Sequence, residues 1–202
     1  MKKLLLLPLA ALACAFTFQS NNIKPIEIGT SLPMADAKLH DVISGKDMTL
    51  SSNKGENGLL VMFSCNTCPF VIAQQDRIIE TQKNAQQMKI GVVMVNSNEA
   101  KRGDEDSEKA MKEYADAQHY LAPYVIDANS AFADAFGATR TPEAFLFDKN
   151  GKLVYHGSID DSPRDPAAVT KHYLSDAMKA VSEGQEVATK TTVSTGCSIK
   201  RK

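Results

Sequence analysis

The chain has 202 residues, of which 43% are hydrophobic, and a formal net charge of -1. This length and apolar content are enough for one domain with its own hydrophobic core. A charge so close to zero provides no strong field for attracting nucleic acid or an anionic membrane surface, so both kinds of partner are disfavoured.

Residues 1–20 have the pattern of an export signal. Two lysines precede the apolar run at residues 4–15, which is too short to cross a bilayer comfortably, and small residues follow it. We therefore expect an exported chain, periplasmic if the organism is bacterial, in a compartment where disulfides persist. Cys14 is either removed with the signal or attached to lipid, although Ala11 stands where a lipoprotein signal usually has leucine.

Residues 21–58 are predicted to form an N-terminal extension of the domain. Within them, the segments KLHDV (38–42) and MTLSS (48–52) flank Ser44-Gly45-Lys46. Two short strand-like segments around a glycine turn are typical of a β-hairpin.

A β-α-β unit follows this extension. The continuous apolar run GLLVMFS (58–64) indicates a strand buried on both faces, and apolar residues recur at helical spacing after the sequence CNTC. The run KIGVVMVNSN (89–98) predicts a second strand, parallel to the first. The charged segment KRGDEDSEK (101–109) predicts a loop and a solvated helix start, because acidic side chains are favoured near a helix N-terminus.

The second half of the chain begins with a short strand, PYVID (123–127), and a short helix, NSAFADAFG (129–137), with a polar cap and a glycine stop. The runs EAFLFD and KLVYHG are joined by Lys149-Asn150-Gly151. Asn-Gly between apolar runs strongly favours a tight turn, so these two strands are predicted to be antiparallel.

A last helix is predicted to begin at Asp165-Pro166 and to end at Gly184, and the tail at residues 185–202 has no periodicity. The order of elements predicts an α/β domain with a mixed central sheet and helices on both faces.

This order resembles the thioredoxin-like fold, with its core at residues 59–184. The segments LLVMFSCNTCPF, TRTPEAFLFDKNGKLVYHGSIDD and GCSIK resemble the peroxiredoxin-like proteins of the thioredoxin family over roughly residues 26–200. The resemblance implies that Pro142 is cis, that it faces the cysteine pair, and that the backbone of Thr141 is free to bind an extended partner peptide.

The two cysteines of CNTC suit thiol-disulfide exchange. Cys65 is expected in the first turn of a helix, where free N–H groups and the helix dipole lower the pKa of a thiol. Cys68 lies one helical turn further on, within reach of a mixed disulfide on Cys65. The sequence therefore predicts that Cys65 attacks and Cys68 resolves, with protein thiols or disulfides as partners, a membrane electron donor if the protein is a reductant, and no cofactor.

Two positions depart from the thioredoxin pattern. The buried acid that thioredoxins carry six residues before the first cysteine is replaced by Leu59, and the tryptophan that often precedes the pair is replaced by Ser64. Glu143 is a candidate substitute as proton carrier, weighed against an ordinary solvated glutamate at a strand end.

Metal binding is the first alternative function. A structural zinc site needs four ligands and one C-x-x-C supplies two, so zinc is disfavoured and no metal is predicted. Copper delivery would use the two thiols and His156 as ligands. The position of His156 on a late strand is more typical of a surface histidine.

Peroxidase activity is the second alternative. Cys68-Pro69 matches the cysteine-proline step of peroxiredoxins, but their threonine is replaced by Cys65 and their activating arginine by Pro142, with Arg140 nearby. Three roles remain open for Cys197: an unpaired thiol, a dimer-forming thiol, or the third redox thiol that the GCSIK resemblance favours.

Overall fold

The computed structural model describes residues 23–202. The predicted export signal and Cys14 lie outside these residues. Between residues 23 and 202, no helix is both long enough and apolar enough to cross a membrane.

Within residues 23–202 the chain forms nine strands and five helices, together with short 3-10 turns. The strands are β1 (Leu39–Asp41), β2 (Lys46–Met48), β3 (Gly58–Ser64), β4 (Ile90–Asn96), β5 (Tyr124–Ile126), β6 (Arg140–Thr141), β7 (Glu143–Asp148), β8 (Leu153–Gly157) and β9 (Cys197–Ser198), and the helices are α1 (Pro69–Ala73), α2 (Gln75–Gln87), α3 (Glu108–Ala117), α4 (Ala131–Phe136) and α5 (Tyr173–Ser182). Seven strands form a sheet in the order β2-β1-β5-β4-β3-β7-β8, and β6 pairs with β9.

Strand β3 is the centre of the sheet. It pairs parallel with β4 and antiparallel with β7, and all its residues are buried. Leu60 and Met62 pack with α2, α3 and α5 on one face, whereas Val61 and Phe63 pack with α4 on the other. The predicted mixed sheet with helices on both faces is confirmed.

The predicted N-terminal hairpin is present and belongs to the main sheet, because β1 pairs with both β2 and β5. Its second strand ends at Met48 rather than extending over residues 48–52. Thr49 and Ser52 exchange side-chain to backbone hydrogen bonds of 3.1 Å, which turn the chain into a 3-10 turn at Ser51–Asn53. Such local hydroxyl bonds compete with the strand ladder.

The second predicted hairpin is confirmed. Strands β7 and β8 are antiparallel, and Gly151 has a φ of 72° in the turn between them. The Asp148 side chain accepts the N–H groups of Asn150 and Lys152 at 2.9 Å each, which fixes the turn.

The predicted start of the last helix is wrong. Asp165 caps only the 3-10 turn Pro166–Ala168, after which Val169 is extended. Asp161 accepts the N–H groups of Thr170 and Lys171, at 2.9 and 3.1 Å, and holds them outside the helix. Helix α5 therefore begins at Tyr173.

The cap of α4 is not the polar residue expected at residues 129–130. The fully buried carboxylate of Asp127 instead accepts the N–H groups of Phe132 and Ala133, at 2.9 Å each, and the hydroxyl of Ser97 at 2.6 Å. One side chain thus fixes the start of α4 and joins it to the end of β4.

We expect Asp127→Ala to lower the free energy of unfolding by about 3 kcal/mol, because it leaves the N–H groups of Phe132 and Ala133 and the Ser97 hydroxyl without their acceptor. Urea denaturation measures this loss. The control Asp116→Ala, at an exposed position on α3, should change the value by less than about 0.5 kcal/mol. A loss below about 1 kcal/mol for Asp127→Ala would contradict this account of the cap.

Candidate functional site

The two cysteines of CNTC lie where β3 gives way to α1. Both are free thiols, and each is only 3% exposed. Helix α1 begins at Pro69, with Cys68 as its N-cap residue, so Cys65 belongs to the turn before the helix. The prediction that Cys65 occupies the first helical turn is wrong, because proline favours the first position of a helix and fixes the start there.

Thr141 contacts both sulfurs. Its Oγ1 lies 3.3 Å from Cys65 Sγ, and its carbonyl oxygen accepts a hydrogen bond of 3.2 Å from Cys68 Sγ while Cys68 carries its proton. The Thr141–Pro142 peptide bond is cis, as the resemblance implied. The backbone edge of Thr141 is not free, because it pairs with Cys197 in the β6–β9 ladder.

The two thiols differ in acidity. Hydrogen bonding from the Cys65 side chain, then from the Cys197 side chain and the N–H groups of Val71 and Cys197, lowers the pKa of Cys68 from 9.0 to about 4 against the opposing effect of burial. The hydrogen bond to Cys68 and then burial raise the pKa of Cys65 above its ordinary value. The directions of the two pKa shifts make Cys68 the more acidic thiol, the reverse of the expectation for Cys65.

Asp106 supports the dipeptide between the cysteines, a role that the sequence did not indicate. Its fully buried carboxylate accepts the backbone N–H of Asn66 at 3.0 Å and the side-chain amides of Asn96 and Asn98 at 2.8 Å each. The prediction of a solvated helix start is therefore wrong for this residue. The available signal was Asn96 at the end of the apolar β4, with Asn98 just after it, since buried amides require partners.

Glu143 is buried and not solvated. One of its carboxylate oxygens accepts the N–H groups of Thr139 and Arg140, at 2.7 and 2.9 Å, and the other lies 2.7 Å from Nε2 of His156. These contacts hold the loop that carries Thr141. The structure brings Glu143 to this loop and not into hydrogen-bonding contact with the sulfurs.

His156 is also buried, which corrects the interpretation of a surface histidine. Its ring lies against Phe145, with centroids 4.5 Å apart, and faces Glu143. Across residues 23–202, no group of three or more His, Cys, Asp or Glu side chains is arranged to hold a metal ion. Arg140, the residue considered for peroxide chemistry, has an exposed side chain.

The mixed sheet flanked by helices, with a cysteine pair at a strand-to-helix junction, defines a thioredoxin-fold redox protein. The family model described as Redoxin matches residues 27–174. The chain belongs to the Redoxin family, and its oxidoreductase character follows from this membership.

The solved structures that are similar to the chain include the following three. A hypothetical protein from Sinorhizobium meliloti is 36% identical, with a TM-score of 0.80 over 89% of this chain and 97% of its own. An uncharacterized conserved protein from Geobacillus kaustophilus is 35% identical, with a TM-score of 0.81 over 87% and 93%. A secreted disulfide oxidoreductase from Mycobacterium tuberculosis is 12% identical, with a TM-score of 0.54 over 75% and 97%, and shares the fold. The comparison with curated proteins found no match.

The lowered pKa of Cys68 predicts an unusual pH dependence of its alkylation. Because the thiolate is the reacting form, the rate at Cys68 should stay constant down to about pH 5 and fall near pH 4. Quantitative peptide mass spectrometry after iodoacetamide treatment measures this rate separately for each cysteine. In Cys65→Ala, which removes the main hydrogen-bond donor, the midpoint should move to higher pH. A wild-type midpoint near 9.0 would contradict the assigned acidity.

Removal of the Glu143 carboxylate should destabilise the loop behind the cysteines. Glu143→Ala leaves two backbone N–H groups and His156 without their partner, so we expect a loss of about 4 kcal/mol in the free energy of unfolding, measured in urea. Glu143→Gln, which keeps one acceptor oxygen, should recover part of that loss. Glu113→Ala, at an exposed position on α3, is the control. Equal stabilities of Glu143→Ala and Glu113→Ala would show that the buried contacts contribute nothing.

Proposed function

We propose that this protein is an exported thiol-disulfide oxidoreductase in which Cys65 and Cys68 exchange a disulfide with protein partners. The observation that carries the proposal is the placement of both thiols against one residue, Thr141, whose hydroxyl and carbonyl each contact one sulfur. Because both sulfurs contact Thr141 and lie in one buried cluster, the two thiols are positioned to join on oxidation.

In the reducing direction, the Cys68 thiolate attacks one sulfur of a partner disulfide. The partner's other sulfur leaves as a thiolate, and a mixed disulfide remains on Cys68. Cys65 then gives its proton to the leaving thiolate and attacks the Cys68 sulfur, which releases the partner and forms the Cys65–Cys68 disulfide. The partner gains two electrons and the pair loses two. These roles are the reverse of those that the sequence suggested, and the acidity of Cys68 supports the change.

Export is part of the same proposal. The pattern of residues 1–20 supports translocation, and a chain that works as a reductant outside the cytoplasm needs a membrane electron donor to restore its dithiol. Mass spectrometry of the protein recovered from cells gives the mature N-terminus. A cut after residue 13 or 15 is expected for a signal peptide, whereas a lipid attached to Cys14 would indicate an anchored form. Retention of residues 1–20 on the functional protein would contradict export.

The exchange reaction is tested in a background of Cys197→Ser, so that only two thiols remain among residues 23–202. With a protein disulfide as substrate and glutathione as electron source, the turnover of Cys197→Ser sets the reference rate. Adding Cys68→Ser should reduce turnover by at least about a hundredfold, because the attacking sulfur is lost. Adding Cys65→Ser should instead leave a mixed disulfide with the substrate, which accumulates when glutathione is omitted and is visible by mass spectrometry. Turnover that survives Cys68→Ser would overturn the proposal.

A redox titration of the same Cys197→Ser protein gives the physiological direction. A potential near about -270 mV indicates a reductant, and one near about -120 mV indicates an oxidant.

Peroxide reduction is a second candidate because the acidic Cys68 directly precedes Pro69, as in the peroxiredoxin pattern. The exposed side chain of Arg140 weakens this candidate, since an activating arginine would have to face the sulfur. Hydrogen peroxide consumption distinguishes the two functions. Rapid consumption that depends on Cys68 but survives Cys65→Ser would favour the peroxidase.

A further inference from the structure

The C-terminal tail covers the cysteine pair. Strand β9 pairs antiparallel with β6, which places Cys197 opposite Thr141 and Ser198 opposite Arg140. The resemblance to thioredoxins implies that this edge of Thr141 would bind an extended partner peptide. The chain's own residues 196–199 take that place.

Gly196 permits the close approach of the tail to this loop. A Cβ atom at residue 196 would lie 2.1 Å from the carbonyl oxygen of Thr141, a distance that no side chain can adopt. Three residues later, the backbone N–H of Ile199 donates to the carbonyl of Thr139 at 3.0 Å, and the Ile199 side chain is buried in the core. The tail at this point is thus docked in a defined register.

Contacts on both sides of Cys197 hold the tail in place. Before it, Thr192 forms a backbone hydrogen bond of 3.0 Å to His156, and its hydroxyl accepts the N–H of Ser158 at 2.9 Å. After it, the guanidinium of Arg201 donates to Asp134 at 2.8 Å. Between these anchors the side chain of Val193 is 84% exposed, whereas Ile199 is buried.

The register brings the thiol of Cys197 to the thiol of Cys68. Cys68 Sγ lies 3.2 Å from the carbonyl oxygen of Thr141, the residue that faces Cys197 in the ladder. The side chain and the backbone N–H of Cys197 both lower the pKa of Cys68. Cys197 packs against the cluster that contains both other cysteines. It is half-buried, whereas Cys65 and Cys68 are each 3% exposed, so it is the most accessible of the three thiols.

We propose that residues 196–199 are a built-in substrate strand and that Cys197 is a third catalytic thiol, which exchanges a disulfide with Cys68 and carries it between the covered pair and an outside partner. This inference rests on the proposed exchange at Cys65 and Cys68. It extends that function by naming the thiol through which a protein disulfide or thiol reaches the pair.

The transfer conserves atoms and electrons. Starting from the Cys65–Cys68 disulfide, the Cys197 thiolate attacks the Cys68 sulfur, the Cys65–Cys68 bond breaks, and Cys65 leaves as a thiolate that takes up the proton lost by Cys197. The product is a Cys68–Cys197 disulfide, with no net oxidation. A partner thiolate then attacks the Cys197 sulfur, releases the Cys68 thiolate and forms a mixed disulfide on the tail. The reverse sequence reduces a partner disulfide.

The experiment uses Ellman's reagent, an aromatic disulfide, on the purified Cys65→Ser protein, with intact-mass and peptide analysis. Cys68 or Cys197 reacts first and becomes bound to thionitrobenzoate. The other thiol should then expel this group, so the product should carry no adduct and weigh two hydrogens less than the untreated protein. A peptide linking Cys68 to Cys197 should be found. A product that retains nitrobenzoate on both thiols would overturn the inference.

A matched control separates the docked register from mere proximity of a mobile tail. In Cys65→Ser/Cys197→Ser/Ser198→Cys the tail thiol moves one residue, to the exposed side of the strand. The second thionitrobenzoate is released when the tail thiol and Cys68 form their disulfide. This release should be at least about tenfold slower in this variant than in Cys65→Ser. Equal rates in the two proteins would show that the register has no role and would overturn the inference.

The single variant Cys197→Ser keeps the test independent of the proposed function. It should still form the Cys65–Cys68 disulfide, because that pair and its contacts with Thr141 remain. Suppose that Cys197→Ser forms no disulfide while Cys65→Ser forms the Cys68–Cys197 disulfide. The proposed exchange between Cys65 and Cys68 would then be wrong, and the inferred pairing of Cys68 with Cys197 would stand.

Discussion

The site depends on Thr141, because three segments of the chain meet at this one residue. Its hydroxyl contacts Cys65, its carbonyl accepts from Cys68, and its backbone edge pairs with the tail at Cys197. A residue that serves three segments must itself be fixed. Glu143 provides this, since its carboxylate binds the backbone N–H groups just before Thr141 and is buried. A buried carboxylate is tolerated only when its oxygens are satisfied, and these contacts satisfy it.

Much of the fold could be predicted because the decisive signals are local. The all-apolar run of β3 indicated a strand buried on both faces, and Asn150-Gly151 indicated the hairpin between β7 and β8. The start of α5 could not be predicted in the same way. Asp165 followed by proline caps a 3-10 turn and an α-helix equally well, and the outcome was decided by Asp161, whose carboxylate holds the following backbone in an extended path.

The site was less predictable because its properties depend on contacts between distant parts of the chain. The acidic run around Asp106 is polar at every neighbouring position, so nothing local shows that this carboxylate is buried beneath the dipeptide between the cysteines. The acidity of the thiols was assigned to the wrong cysteine for a related reason. The sequence identifies a strand-to-helix junction but not the residue at which the helix starts. The largest cause of the lowered pKa of Cys68 is hydrogen bonding from Cys65, which depends on how the two side chains meet in the fold. The helix start at Pro69 adds the N–H of Val71.

Burial of the cysteine pair and anchoring of the tail have to be considered together. A partner that docked directly against Thr141 would have to displace β9, including the buried side chain of Ile199 and the contacts of Arg201. Removing one such apolar side chain from the core costs about 2 kcal/mol before any partner contact is made. A partner that reacts with Cys197 meets the most accessible of the three thiols without displacing Ile199 or Arg201, so the tail can stay docked. The same contacts that hinder a large partner at the pair therefore favour entry through the tail thiol, and they keep that thiol in the register that its reaction with Cys68 requires.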